Sequence, residues 1–169
     1  MKLIIANILG LISALIMIYA GAKKEKNKVL KYHTIHALFG MSCDLLLGGY
    51  PSVISNIFTI TRNILVNKNK FNKLLMVLFI ILASISILYF NNLGIVGYIP
   101  LINFIFYTVF INTKDNIVFK YVFIISMITW LIYDLIIKAY SSAIFDSITI
   151  ITSVITLISM IRNKKKTQI

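Results

Sequence analysis

Apolar residues run in long blocks separated by short polar or glycine-bearing punctuation, and the blocks fall at 3–21, 30–48, 51–67, 74–91, 94–112, 118–137 and 140–161. Each has, or nearly has, the length an α-helix needs to cross a hydrocarbon core of ~30 Å. The stretch from Leu74 to Thr113 carries no charge and as one helix would measure about 60 Å, twice a single span. Asn91-Asn92-Leu93-Gly94 supplies the turn that divides it, because Asn and Gly favour turns over helix interiors. Gly48-Gly49-Tyr50-Pro51 separates the second block from the third, proline being tolerated in a first helical turn. The pattern predicts an all-α, polytopic membrane protein with seven transmembrane helices.

Composition agrees with that reading. The 169 residues are 59% hydrophobic and only 13% charged, with a mean hydropathy of +0.92, which excludes a soluble globular domain and a disordered tail. The net charge is +12, a value that in a soluble chain would suggest nucleic acid. Here the basic residues cluster between apolar blocks, and no nucleic-acid partner is expected. Fifteen of the Lys and Arg residues fall at one set of helix ends, from Lys23, Lys24, Lys26 and Lys28 through Lys68, Lys70 and Lys73 to Arg162, Lys164, Lys165 and Lys166. The opposite ends hold only Lys2 and Lys138. The positive-inside rule then places the N-terminus outside and the C-terminus in the cytoplasm. Lys2, the apolar run to Tyr19 and Ala20-Gly21-Ala22 imitate a signal peptide, but the run is longer than the usual ~7–15 residues and lysines follow it at once, so a retained first helix is expected. Cys43 is the only cysteine, which rules out an internal disulfide.

A shift of ninety residues lays the first three blocks over the last three. Asp44 falls on Asp134, Tyr50 on Tyr140, and Lys24-Glu25 on Lys114-Asp115; these rarer residue types carry more weight than matches of Ile on Ile. A three-helix unit crosses the membrane an odd number of times, so a direct second copy would be inverted, and one extra crossing restores its orientation. The expected organisation is two parallel three-helix bundles joined by a linker helix (3-1-3): residues 1–67, a linker with the fourth helix over 68–93, residues 94–161, and a basic cytoplasmic tail over 162–169. This is the arrangement of SWEET-type transporters.

Leu46-Leu47-Gly48-Gly49-Tyr50-Pro51, followed by Arg62 and later by Trp130-Leu-Ile-Tyr133-Asp134, resembles the YgjV family of bacterial inner-membrane proteins, a family related to the SWEET/PQ-loop group. The resemblance covers nearly the whole chain and implies fold and location, not a reaction. Relatives of the SWEET type carry prolines in several bundle helices, whereas here only Pro100 is expected inside one, and no Pro-Gln pair occurs.

Three carboxylates interrupt the apolar blocks. Each of Asp44, Asp134 and Asp146 costs roughly 2.5–3.5 kcal/mol at mid-membrane. Counting from the outer helix ends, these three and Asn56 all lie about 6–9 Å deep. Either they cap helix ends and reach outside water, or they form a solute or proton site between the bundles. Ser52, Asn56, Thr59 and Asn63 share one helix face, and their repeat mates Ser142, Asp146, Thr149 and Ser153 are polar at every matching position. Such stripes either line a path or join helices by hydrogen bonds. Trp130 and Tyr133 beside Asp134 offer an aromatic platform for a sugar-like or cationic solute, or simply pack. Arg62 is expected to snorkel to the inner interface, and His33 and His36 to be interfacial; Cys43, about 10 Å beyond His36 along the helix, is too far to complete a metal site.

The candidate substrate-binding residues are therefore Asp44, Asn56, Thr59, Trp130, Tyr133, Asp134, Asp146 and Thr149. No metal or cofactor is expected. No Gly-rich phosphate loop, Ser-His-Asp set or Cys-x-x-Cys pair occurs, so the expectation is a non-enzyme. The expected role is a permease for a small polar solute, neutral or cationic because buried carboxylates disfavour anions. The alternative is an accessory, receptor or envelope protein acting through its basic cytoplasmic surface, which attracts anionic lipid headgroups by roughly 1 kcal/mol per nearby Lys or Arg. Homo-oligomers are compatible with both.

Overall fold

The computed structural model describes residues 2–137 and 140–166, except the side chains of Ser141 and Lys166. Lys138, expected at the outer end, lies outside the described residues. Among the described residues every regular element is helical: α1 (Lys2–Gly21), α2 (Lys26–Leu47), α3 (Tyr50–Asn67), α4 (Lys73–Tyr89), α5 (Tyr98–Phe110), α6 (Asn116–Ile136) and α7 (Tyr140–Lys166), with one 3₁₀ turn over Gly94–Gly97. Three helices, Lys2–Gly21, Asn116–Ile136 and Ser142–Lys165, are long and apolar enough to cross a membrane, and Lys73–Tyr89 and Gly94–Phe110 are shorter apolar helices.

Local chemistry sets the boundaries. Gly48 follows α2 in the left-handed region at φ 81°, which glycine enters without steric cost, and the Gly49 amide closes back on the Asp44 carbonyl at 2.9 Å. Pro51 then occupies the first turn of α3, where its missing N–H leaves no bond unmade. The Asn72 side chain accepts from the Leu75 amide at 2.9 Å to start α4, and Asp115 accepts from the amides of Ile117 and Val118 to start α6.

Two boundaries differ from the expectation. The spacing predicts a fifth helix over 94–112, but its first turn is 3₁₀, opened by Gly94 at φ 57° and tied by the Asn91 side chain to the Gly94 carbonyl. Pro100 consequently sits in the first turn of α5 and not in its interior. The seventh helix does not stop at 161: it carries Arg162 and Lys164 onward in helical form, so the first part of the basic tail is a rigid extension.

Neighbouring helices close a ring. α1 packs on α2 and α7, α2 on α3, α3 on α5, α5 on α6 and α6 on α7, while α4 lies outside against α3 and α5. The two contacts that join the halves, α1 with α7 and α3 with α5, exchange under the ninety-residue shift. The exposure pattern is inverted relative to a soluble protein. Leu74, Ile95 and Ile102 are exposed while Arg62, Lys120 and Asn63 are buried, as expected where the outer solvent is hydrocarbon and polar groups pair inside. The main apolar core gathers Met17, Leu30, Val66, Ile111, Phe119 and Phe123, all toward the lysine-rich helix ends. The other half of the ring is left open for a cavity.

Candidate functional site

A cavity of about 150 Å³ lies inside the ring, lined from every helix except α4. Residues ninety positions apart line it together: Ser13 and Asn103, Cys43 and Tyr133, Asp44 and Asp134, Ser52 and Ser142, Asn56 and Asp146. Its volume corresponds to the liquid share of about five waters, or to one small solute.

Three carboxylates ring the end of the cavity near the α2–α3 and α6–α7 turns. Asp44, in the last turn of α2, is held by α3: the Ser52 hydroxyl donates to Asp44 Oδ2 at 2.5 Å and the Asn56 amide donates to the same oxygen at 3.4 Å. Asp134 and Asp146 line the same cavity and accept no hydrogen bond from any described residue. Trp130 and Tyr133 meet edge to face at 5.5 Å beside them. Three carboxylates sharing so small a space repel each other and attract a cation, because low-dielectric walls weaken screening. The mouth beside them is edged by Leu47, Ile137 and Ser142, all three exposed.

The floor is built around Arg62, which is 1% exposed. This overturns the expectation that it snorkels. Its Nη1 donates to Thr108 Oγ1 at 2.8 Å, while Nε and Nη2 donate to Asn63 Oδ1 at 3.3 and 3.1 Å. The guanidinium lies 4.8 Å from the Tyr107 ring centre and 5.1 Å from that of Phe104. It turns inward because position 62 shares the buried face of α3 with Ser52, Ser55 and Thr59, and because α5 offers Thr108 opposite. The histidines likewise turn inward, where both line the cavity. His33 is buried against Tyr107, and His36 joins α2 to α1 through Ser13, whose hydroxyl lies 2.8 Å from His36 Nδ1.

Seven of the eight residues expected at a site line this cavity: Asp44, Asn56, Thr59, Trp130, Tyr133, Asp134 and Asp146. Thr149 does not. It is fully buried and donates to the Phe145 carbonyl of its own helix, where α7 packs against Gly21 at the end of α1. The two polar stripes therefore diverge. On α3 the stripe faces the cavity down to Thr59, whereas on α7 only Ser142 and Asp146 do, and Thr149 and Ser153 serve the seam with α1. Sequence reasoning misses the Arg62–His33–Tyr107–Asn103 floor, although two clues are present: Arg62 is three residues past Thr59 on the same face, and Asn103 is the repeat mate of Ser13. Among the described residues no cluster of His, Cys, Asp and Glu is arranged to hold a metal.

A family model, Imp-YgjV, described as a bacterial inner membrane protein, matches residues 4–164. No curated protein and no solved structure matches the chain.

Proposed function

We propose, from the premise that this chain belongs to the Imp-YgjV family of bacterial inner membrane proteins, that it is a permease for a small polar solute. The observation that carries this reading is the cavity itself, with Asp44, Asp134 and Asp146 set around one end of it inside a ring of apolar helices. Three carboxylates in such surroundings are expensive to keep, and intramembrane acids of this kind mark solute and ion pathways. The solute is neutral or cationic, and the protein carries out no covalent chemistry on it.

The ring order supports treating α1–α3 and α5–α7 as two equivalent units with α4 as the link. The cavity lies between the units, where a rocking motion of one against the other would expose it alternately. In this proposal the carboxylate end faces outward, with the N-terminus outside, and the lysine-rich end faces the cytoplasm and its anionic headgroups. The core at that end then closes the inner side, which is an outward-open form.

The test is a thermal-unfolding screen of purified protein against small neutral and cationic metabolites, with an Asp134→Asn/Asp146→Asn variant alongside. A ligand at a hundred times its Kd stabilises by about 2.7 kcal/mol. The expected result is a stabilising compound whose effect is lost in the variant and whose uptake into proteoliposomes needs the same aspartates. A compound that stabilises and is transported equally in both forms removes the carboxylates from the site. If no solute is transported, the permease reading fails.

A further inference from the structure

Arg62 is the charge that the carboxylate end does not explain. Among the described residues the ion pairs are Lys28 with Glu25 and Lys164 with Asp115, and none involves Arg62. Its fork of five N–H donors is only partly used, on Asn63 and Thr108. A buried guanidinium without an anion is costly, and its planar geometry suits a carboxylate held by two parallel bonds.

The groups beside it are unfinished in the same way. His33 Nδ1, Asn103 Oδ1 and the Tyr107 hydroxyl are buried without any hydrogen-bond partner, and all three residues line the cavity with Arg62. His33 is 6%, Asn103 5% and Tyr107 2% exposed. Buried polar groups in proteins are nearly always paired, so several orphans around one unpaired cation mark a place that something else completes. The Tyr107 hydroxyl donates, His33 Nδ1 donates in the tautomer that protonates it, and the Asn103 amide, whose Oδ1 as placed is an acceptor, presents its NH2 instead when turned over. An anion is the occupant that this set satisfies.

The two ends of the cavity thus have opposite chemistry. Asp44 is held level with Ser52 and Asn56 on α3, and Arg62 lies six residues below Asn56, about 9 Å along the axis. We infer that the Arg62 floor is an anion subsite, and that the solute is a zwitterion of the amino-acid type. Its carboxylate sits on Arg62 and Tyr107, and its ammonium among Asp44, Asp134 and Asp146. This deepens the permease reading and rests on it: a zwitterion is net neutral, yet it uses both poles.

Trp130 is the chain's single tryptophan and lines the cavity, so its fluorescence reports occupancy directly. The experiment titrates purified full-length protein with glycine, β-alanine and 4-aminobutyrate, whose charge separation increases in steps, and with methylammonium and acetate as the separate halves. One member of the zwitterion series is expected to bind at least a hundredfold tighter than either half. Arg62→Gln should remove that advantage and leave methylammonium binding unchanged. Tyr107→Phe, which keeps the ring and removes only the unpartnered hydroxyl, should weaken the zwitterion by about five- to tenfold and methylammonium not at all; it decides the matter if Arg62→Gln does not fold. Asp134→Asn/Asp146→Asn should weaken methylammonium and the zwitterion alike.

Methylammonium binding that depends on the aspartates, without any gain from a carboxylate, overturns the anion subsite and leaves the permease reading intact. Acetate or zwitterion binding that ignores both Arg62→Gln and Tyr107→Phe overturns it as well. If none of these probes perturbs Trp130, the zwitterion assignment is wrong, and uptake of other solutes then decides the permease reading separately.

Discussion

Lys120 of α6 donates its ammonium to the carbonyl of Gly21 at the end of α1, at 2.6 Å, and to that of Lys23 at 2.9 Å. Ninety residues on from those two carbonyls, Ile111 and Thr113 at the end of α5 accept from Lys26 Nζ, both at 2.9 Å. Each half of the ring thereby caps the otherwise unpaired end carbonyls of a helix in the other half. A cation at a helix C-terminus is favoured both by the orphan acceptors there and by the helix dipole. Both caps lie at the lysine-rich end, opposite the mouth of the cavity, so they tie the halves together where the proposed outward-open form is closed.

Lys120 is 1% exposed, and Lys120→Met keeps most of its bulk while leaving the Gly21 and Lys23 carbonyls without their donor. Unsatisfied buried acceptors cost about 1–3 kcal/mol. Lys120→Met is therefore expected to lower the melting temperature of the purified protein by several degrees, and Lys26→Met by less, because Lys26 is only partly buried. If transport involves opening this end, both variants should also speed uptake per folded molecule. A melting temperature for Lys120→Met equal to wild type contradicts the capping role.

Gly21 allows α1 and α7 to approach. A Cβ there would lie 2.8 Å from Ser153 Oγ, 2.9 Å from Thr152 Oγ1 and 3.1 Å from the Thr149 backbone carbonyl. The two hydroxyls can rotate away, but the carbonyl belongs to a helix and moves only with it. Gly21→Ala is expected to destabilise by roughly 1–3 kcal/mol as overpacking, with Gly21→Val worse. Small residues at close helix contacts are the usual device of membrane bundles. Ala22→Gly, one position along outside this contact, is the control and should leave the melting temperature nearly unchanged.

What is legible in the sequence follows from which physics is one-dimensional. Helix number and depth depend on spacing along the chain, so the Gly48–Pro51 and Asn91–Gly94 turns can be read directly, and the same spacing puts Asp44, Asn56, Asp134 and Asp146 in one layer. Rotation about a helix axis depends on neighbours. Depth alone assigns Arg62 to the interface, and only the packing of α3 against α5, with Thr108 and Tyr107 opposite, turns it inward. Thr149 departs from expectation for the same reason in reverse: it matches Thr59 in sequence, but it is buried away from the cavity, its hydroxyl bonded to the Phe145 carbonyl of its own helix. The lysine caps are hidden because Lys26 and Lys120 are not repeat mates. The carbonyls they serve are mates, and backbone acceptors leave no mark in a sequence.

Asp115 lies in the loop before α6, outside the spans. The Ile117 and Val118 amides, with Lys164 adding to them, hold its carboxyl below the usual carboxylate range. A depressed value in the folded state means that its contribution to stability is present above the ordinary Asp range, about pH 4, and is lost as the pH falls through the folded value. Asp115→Asn should keep the cap, since Asn and Asp cap about equally well, and remove this part of the acid sensitivity. Melting curves between pH 3 and 7 should therefore converge for wild type and Asp115→Asn at the acid end. Parallel curves at every pH would show that the cap does not depend on charge.

Cys43 provides a chemical probe of the carboxylate end that needs no knowledge of the solute. It is the chain's only cysteine, its thiol is free, and it lines the cavity together with Asp44, Tyr133 and Asp134. A cationic methanethiosulfonate reagent entering the mouth is attracted by three carboxylates, and an anionic one of similar size is repelled. Two unit charges 4 Å apart interact by about 4 kcal/mol at an effective dielectric constant of 20, and a third of that already changes a rate tenfold. The cationic reagent should thus label Cys43 at least ten times faster than the anionic one, and Asp134→Asn/Asp146→Asn should bring the two rates close together. Intact cells should show the same preference if the mouth faces outward, because neither charged reagent crosses the bilayer. Labelling that appears only after permeabilisation reverses the proposed orientation. Equal rates for the two reagents in wild type would mean that the aspartates do not set the field at the mouth, and the preference for neutral or cationic solutes would lose its physical basis.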